Sequence, residues 1–268
     1  LASRDGGEIL NFEGVRQLES QRAGKMPGGG TALKNQFQSV ALAMHNFHDV
    51  FNRFPMYDDW HYFGPDAKPF LSWRVFLLPY LDQAPLYQQF HFDEPWDSPH
   101  NIQLLDKMPQ VYRSRGDASD STTTRIQVFT GPEALFERVA SGNYGGPTFL
   151  GPRIPQITDG TSNTFLAIEA GISKAVPWTK PDDLEFDPND PLGTMGLNPD
   201  DVFTAALADG SVRQISAREV QSVLKALITP AGGEFGAWTY NDPGVTPQGS
   251  ILPGISVTGT NENRLVIS

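Results

Sequence analysis

KNQFQSVALAMHNFHDVFNRFP, residues 34–55, decides the fold. Leu33, Phe37, Val40, Met44, Phe47, Phe51 and Phe54 follow one another in alternating steps of four and three, which places them on one stripe of a helix. The spacing predicts a continuous helix over 33–54 with Phe37, Met44, Phe47 and Phe51 buried. Pro55 sets the stop, since the residue before a proline avoids helical backbone. A stripe this apolar needs a partner surface. Later segments turn to short apolar runs between Gly and Pro turns, so the pattern points to an α+β domain: an N-terminal amphipathic helix packed on an antiparallel sheet, with loop-rich insertions.

Outward from that helix the chain divides into three parts. Residues 1–30 end in Met26-Pro27-Gly28-Gly29-Gly30, a flexible break. Residues 31–235 hold the periodic segments, and 236–268 form a tail with strand-like runs at 255–258 and 264–267. Within the middle part, 56–70 reads as an aromatic loop and 72–81 as a short helix halted near Pro85. Residues 99–107 begin another helix with Pro99 in its first turn. From 113 to 163 loops dominate, with a strand-like run at 125–130 and a helical turn around 132–140. Strands follow at 164–169, 202–208 and 211–215. Between the last two, Asp209-Gly210 has the chemistry of a two-residue type I′ turn, in which both positions take φ > 0. Asp159-Gly160 has the same chemistry and reads equally as a loop entering a strand. Ser216 then caps a helix over 217–229, with Glu219 completing a capping box and Val220, Val223, Leu224, Leu227 and Ile228 as its apolar stripe.

The 31 acidic and 20 basic residues give a net charge of -11. That excess argues against nucleic acid and anionic membranes as partners, because both are met by positive charge. Cysteine is absent, which removes disulfides, thiolate catalysis, zinc-thiolate and iron–sulfur sites and covalent haem together. No apolar run has the length of a membrane span, so no membrane-spanning segment is expected here. The opening Leu1 is read as the mark of a processed or shortened chain.

Residues able to do chemistry are sparse. His45 and His48 lie three apart with Asp49 adjacent, which suits two metal ligands lacking a third or, as the better reading, hydrogen-bonded histidines beside the buried stripe. His61, His91 and His100 fall in loops. Ser162 in DGTSNT has no nucleophile elbow and no assignable base. No phosphate loop, dinucleotide fingerprint or zincin helix occurs, so no catalytic residue is assigned and the chain is expected not to be an enzyme. The best candidate is KPDDLEFDPNDPLGTMGLNPDD, residues 180–201, where Asp182, Asp183, Glu185, Asp187, Asp190, Asp200 and Asp201 crowd together. Hard oxygen ligands on flexible backbone suit calcium, with Asp187, Asp190, Asp200 and Asp201 as the metal residues; a solvated acidic loop is the alternative. Trp60, Trp73, Trp96, Trp178 and Trp238, with Tyr57, Tyr62 and Tyr80, are core material or else a surface on which sugar rings stack.

Taken in order, LSWRVFLLPYLDQAPLYQQF (71–90), DEPWDSPHN (93–101), KMPQVYRS (107–114), ITDGTSNT (157–164), VPWTKPDDLEFDP (176–188), ADGSVR (208–213) and LKALITPAGGE (224–234) carry a family resemblance. They resemble a large family of pilin-like proteins expanded in planctomycete bacteria, whose members often have a prepilin-type N-terminus and a C-terminal H-x9-DG motif. Two features depart from it. Residues 1–30 are polar and Gly-rich where a hydrophobic prepilin helix is expected. The position ten before Asp209 is Pro199, with Asn198 the nearest replacement for the histidine, so no role of that histidine transfers. The resemblance implies a pilin-like domain. It also adds weight to calcium at the acidic stretch, since some pseudopilins hold such a loop with that ion.

The expected function is a non-enzymatic structural or assembly subunit of the cell envelope or extracellular space, periplasm included, acting through protein partners or self-assembly. The alternative is a calcium-stabilised module that binds carbohydrate or another exported ligand.

Overall fold

The computed structural model describes residues 29–56, 69–114, 116–136, 151–220 and 223–232, all within the compact unit Leu1–Gly236. The tail runs at 255–258 and 264–267 and nearly all of the aromatic loop lie outside the described residues.

The predicted helix is α1, Gly29–Phe51. Leu33, Phe37, Val40, Met44 and Phe47 are buried, as the stripe requires. Each such side chain contributes roughly 1.5–3 kcal/mol on leaving water. The helix ends earlier than Pro55 would dictate. Asn52 takes left-handed backbone (φ 55°) and its N–H donates to His48 O at 2.6 Å, a helix terminator that asparagine tolerates. Phe54 is nonetheless buried, because its N–H donates to Pro152 O at 2.8 Å and returns the segment to the core. This approach depends on Gly151, where a Cβ would stand 1.7 Å from Phe54 O. Phe51 departs from the expectation. It is 46% exposed at the last helical turn, with one face on Phe47, ring centroids 4.4 Å apart.

The run predicted as one helix over 72–81 is two pieces. Ser72 caps α2 (Trp73–Phe76), its Oγ accepting from Arg74 N–H at 3.3 Å, and a 3-10 turn follows at Leu78–Leu81. Pro85 halts nothing. It sits in the first turn of α3 (Ala84–Tyr87), where a missing N–H costs no bond. A further 3-10 turn, Asn101–Lys107, occupies the 99–107 stretch. Glu133 is left-handed (φ 67°) where a helical turn was expected, and 137–140 lie outside the described residues.

The described strands are β1 (Thr123–Thr124), β2 (Ile126–Gln127), β3 (Phe129–Thr130), β4 (Phe165–Glu169), β5 (Val176–Pro177), β6 (Leu184–Glu185), β7 (Val202–Leu207) and β8 (Val212–Ser216). The run at 125–130 is thus broken, and its pieces and β1 take three different partners. β1 pairs antiparallel with β5, β2 antiparallel with β4, and β3 parallel with β6. The main sheet is antiparallel in the order β2-β4-β7-β8. α1 lies over β7 and β8. Ala206 and Val212 join its core with Trp73, Val75, Leu78, Tyr112, Ile126 and Trp178. Side chains alternate across a strand, so Phe203 turns to the other face. There it meets Phe165 (ring centroids 6.0 Å apart), which stacks with Phe129 at 6.3 Å; Phe186 completes the cluster. The architecture is α+β.

The β7–β8 connection differs from the predicted turn. Leu207 N–H donates to Ser211 O at 2.8 Å and Gly210 N–H to Leu207 O at 2.9 Å, so Ala208, Asp209 and Gly210 form a three-residue loop. Only Gly210 among them is left-handed (φ 83°). This is a type I turn closed by a glycine bulge, and it frees Asp209 from the positive φ that a type I′ turn demands. After β8 the predicted helix over 217–229 is divided into two short helices, Ala217–Val220 and Leu224–Ile228, the second preceded by Val223 at φ -120°. Val220, Leu224, Leu227 and Ile228 are buried.

Candidate functional site

The acidic stretch is held by separate local bonds. Asp182 Oδ2 lies 2.8 Å from Lys180 Nζ. Asp187 Oδ1 accepts from Asn189 N–H at 2.8 Å and from its Nδ2 at 3.1 Å. Asp190 caps the short helix Pro191–Met195, its Oδ1 accepting from Gly193 N–H at 2.9 Å. Asp200 pairs with Arg218. Asp201 Oδ2 accepts from Asn198 N–H at 2.6 Å, which makes Asn198 a turn residue. The crowding that suggested calcium is therefore relieved by hydrogen bonds and ion pairs. Among the described residues no three acidic or histidine side chains gather around one point. Calcium takes about six to eight oxygens, and Asp187, Asp190, Asp200 and Asp201 as placed do not fit such a shell.

Asp183 behaves differently from its neighbours. Its Oδ1 lies 2.7 Å from Arg74 Nη2, with both side chains fully buried. Arg74 also donates from Nε and Nη2 to Ile126 O at 2.9 and 2.8 Å and from Nη1 to Ser72 Oγ at 2.8 Å. Asp183 Oδ1 accepts in addition from Val128 N–H at 3.1 Å, and both its oxygens lie 3.2 Å from Trp73 Nε1. The guanidinium sits 4.7 Å from the Trp73 ring centroid. Tyr112 Oη donates to Arg74 O at 2.8 Å, and burial pushes its phenol far above the ordinary range although Arg74 opposes this. A buried ion pair is tolerable only when its remaining donors and acceptors are satisfied. Here four of the five guanidinium N–H groups and both carboxylate oxygens have partners, drawn from 72–74, 126–128 and 183. The cluster is a buried clamp between segments.

The other candidates divide. His48 is buried, and its Nε2 accepts from Ile154 N–H at 3.4 Å. Burial, and then the charge of His45, hold it below the usual imidazole range. His45 Nε2 is buried without a hydrogen-bond partner and lies beside Gly210, where a Cβ would be 3.5 Å away. Ser162 is exposed on a 3-10 turn. Trp73 and Trp178 are core residues, and Trp178 Nε1–H donates to Leu105 O at 3.0 Å. Trp60, Trp238, Tyr57, Tyr62 and His61 lie outside the described residues.

The main sheet leaves one edge open among the described residues. Leu207 N–H to Ser211 O and Ala217 N–H to Asp201 O fix the phase of the β7–β8 ladder. Residues 213 and 215 therefore turn their backbone groups toward β7, and Val212, Gln214 and Ser216 turn theirs away from it. Val202, opposite Ser216 in the ladder, is 65% exposed.

Residues 34–201 match the model of a family described as "Protein of unknown function (DUF1559)". The chain belongs to this family. The DUF1559 match takes in most of α1 and both partners of the buried clamp, and ends just before β7. No curated protein and no solved structure matches the chain. Among the described residues no helix is long and apolar enough to cross a membrane.

Proposed function

We propose that this DUF1559 chain is a structural subunit of the cell envelope or extracellular space, pilin-like in design, that works through self-assembly and not through catalysis. The observation that supports this reading is the outward edge of β8, where Val212, Gln214 and Ser216 offer backbone donors and acceptors to an added strand. The edge is its own antiparallel complement, with Gln214 at the centre and Val212 facing Ser216 of a second copy. The net charge of -11 opposes association, so assembly strengthens as salt screens it. A calcium-stabilised carbohydrate module would use exposed rings, and Trp73 and Trp178 are spent on the core.

Gln214→Pro tests the reading. Its N–H points away from β7, so proline deletes no ladder bond yet blocks an incoming strand. Sedimentation equilibrium is expected to show weaker self-association at an almost unchanged melting temperature. Undiminished association of a folded variant would sink the assembly role of β8.

A further inference from the structure

We propose that the cleft between residues 88–91, which follow α3, and the 3-10 turn Asn101–Lys107 binds a divalent tetrahedral oxyanion, of sulfate or phosphate type, as its two histidines take up protons. The cleft is open to solvent, has a volume of about 450 Å³ and is walled by Gln88, Gln89, His91, His100, Gln103 and Lys107, with the buried Leu104 also in its lining.

His91 and His100 lie face to face, ring centroids 3.6 Å apart and planes 2° from parallel. They are set by a rigid support. Asn101 is fully buried; its Oδ1 accepts from His91 N–H at 3.0 Å, and its Nδ2 donates to His91 O, Glu94 O and Pro95 O at 2.8, 3.1 and 3.1 Å. One amide thus fixes the turn that carries His91 to the start of the turn that carries His100.

Each imidazole has one nitrogen committed. His100 Nε2 lies 2.7 Å from Gln89 O, and a carbonyl only accepts, so this nitrogen carries hydrogen. His91 Nδ1 lies 3.1 Å from Glu94 Oε1 and donates in the same way. The second nitrogens, His91 Nε2 and His100 Nδ1, have no hydrogen-bond partner among the described residues and become donors on protonation. Lys107 Nζ donates to Gln89 Oε1 at 2.6 Å and keeps two further N–H groups. The charged groups facing the pair are Glu94, from the turn after His91, and Lys107, from the far end of the 3-10 turn. Hydrogen bonds from Ser98 and then His91 hold Glu94 below the usual carboxylate range, so it stays ionised. Once both rings are protonated, two stacked cations and Lys107 face one carboxylate. Two positive charges remain to be offset, and a divalent oxyanion supplies both the charge and the acceptors for charge-assisted bonds.

The cleft uses no residue of β8, so its test is independent of the assembly reading. The full chain, labelled at histidine, is titrated with inorganic sulfate, whose charge is constant, at about pH 5.5 and about pH 8. The expected dissociation constant is at least about tenfold lower at the acidic pH, with the His91 and His100 ring signals moving together. His100→Gln, which keeps a donor for Gln89 O, and Lys107→Met should each lose most of that gain. A parallel phosphate series, read against the loss of charge on phosphate itself, tells which of the two oxyanions the cleft prefers. Equal affinity at the two pH values, or ring signals that do not respond, means an adventitious ion only and overturns the proposal. The wild-type ring signals decide the matter even if a variant fails to fold.

Discussion

Arg74 and Asp183, 109 residues apart in sequence, meet at 2.7 Å with neither side chain reached by solvent. Breaking such a pair strands a buried charge, whereas replacing both partners by apolar groups removes the problem along with the pair. Asp183→Ala should destabilise the fold by about 3–5 kcal/mol in denaturant unfolding. Arg74→Met with Asp183→Leu should cost markedly less than the single change. A double variant as unstable as the sum of its parts would deny the coupling.

Phe47 and Phe51 lie one turn apart on the same stripe, yet Phe47 is buried and Phe51 half in water. Phe47→Ala is expected to cost about 3–5 kcal/mol. Phe51→Ala should stay below about 1 kcal/mol. Equilibrium unfolding of both variants reads the difference directly, and similar losses would contradict the observed end of α1.

His48 has a pH signature. Its folded value is lowered, chiefly by burial, so the unfolded chain binds the proton more readily. The stability it contributes is complete above the unfolded value of about 6.5 and declines as pH falls below that toward the folded value. Thermal melts at about pH 7.5 and about pH 5.5 should therefore show a drop at the acidic end. In His48→Gln, which still offers Ile154 N–H an acceptor, the drop should shrink. An identical slope in both proteins would assign the acid sensitivity elsewhere.

Asp190 caps the helix Pro191–Met195 through Oδ1. Asp190→Ala should cost about 1 kcal/mol, the usual scale for a lost N-cap acceptor. Chemical denaturation with and without calcium checks both halves, since a cap contributes the same amount in either buffer.

What could be read in advance was local. The stripe from Leu33 to Phe47, the strands at 165–169, 202–207 and 212–216, and the burial of Trp73 and Trp178 all follow from spacing or side-chain size. The Asp209-Gly210 pair marks the place of the turn but not its geometry, because the same residue pair serves a two-residue turn and a three-residue loop with a glycine bulge. The helix over 217–229 was overextended because apolar spacing does not register a backbone break at Val223. The acidic stretch is one cluster along the chain, but proximity in sequence is not proximity in space. Asp183 instead turns inward to an arginine 109 residues away, while its neighbours cap their own turns. The stacked histidines were equally hidden. His91 and His100 are nine positions apart with no periodic relation, and only the Asn101 amide brings them face to face.

The parallel pairing of β3 with β6 sets an order of events in folding. α1 and the β7–β8 hairpin join residues close in sequence and can form early, whereas Phe129 meets Leu184 only after a long loop has closed. Asp183 leads directly into β6, so its contact with Arg74 depends on where that strand docks. A chain that collapsed with β6 out of place would have to bury the guanidinium unpaired, at a cost of several kcal/mol, or reopen.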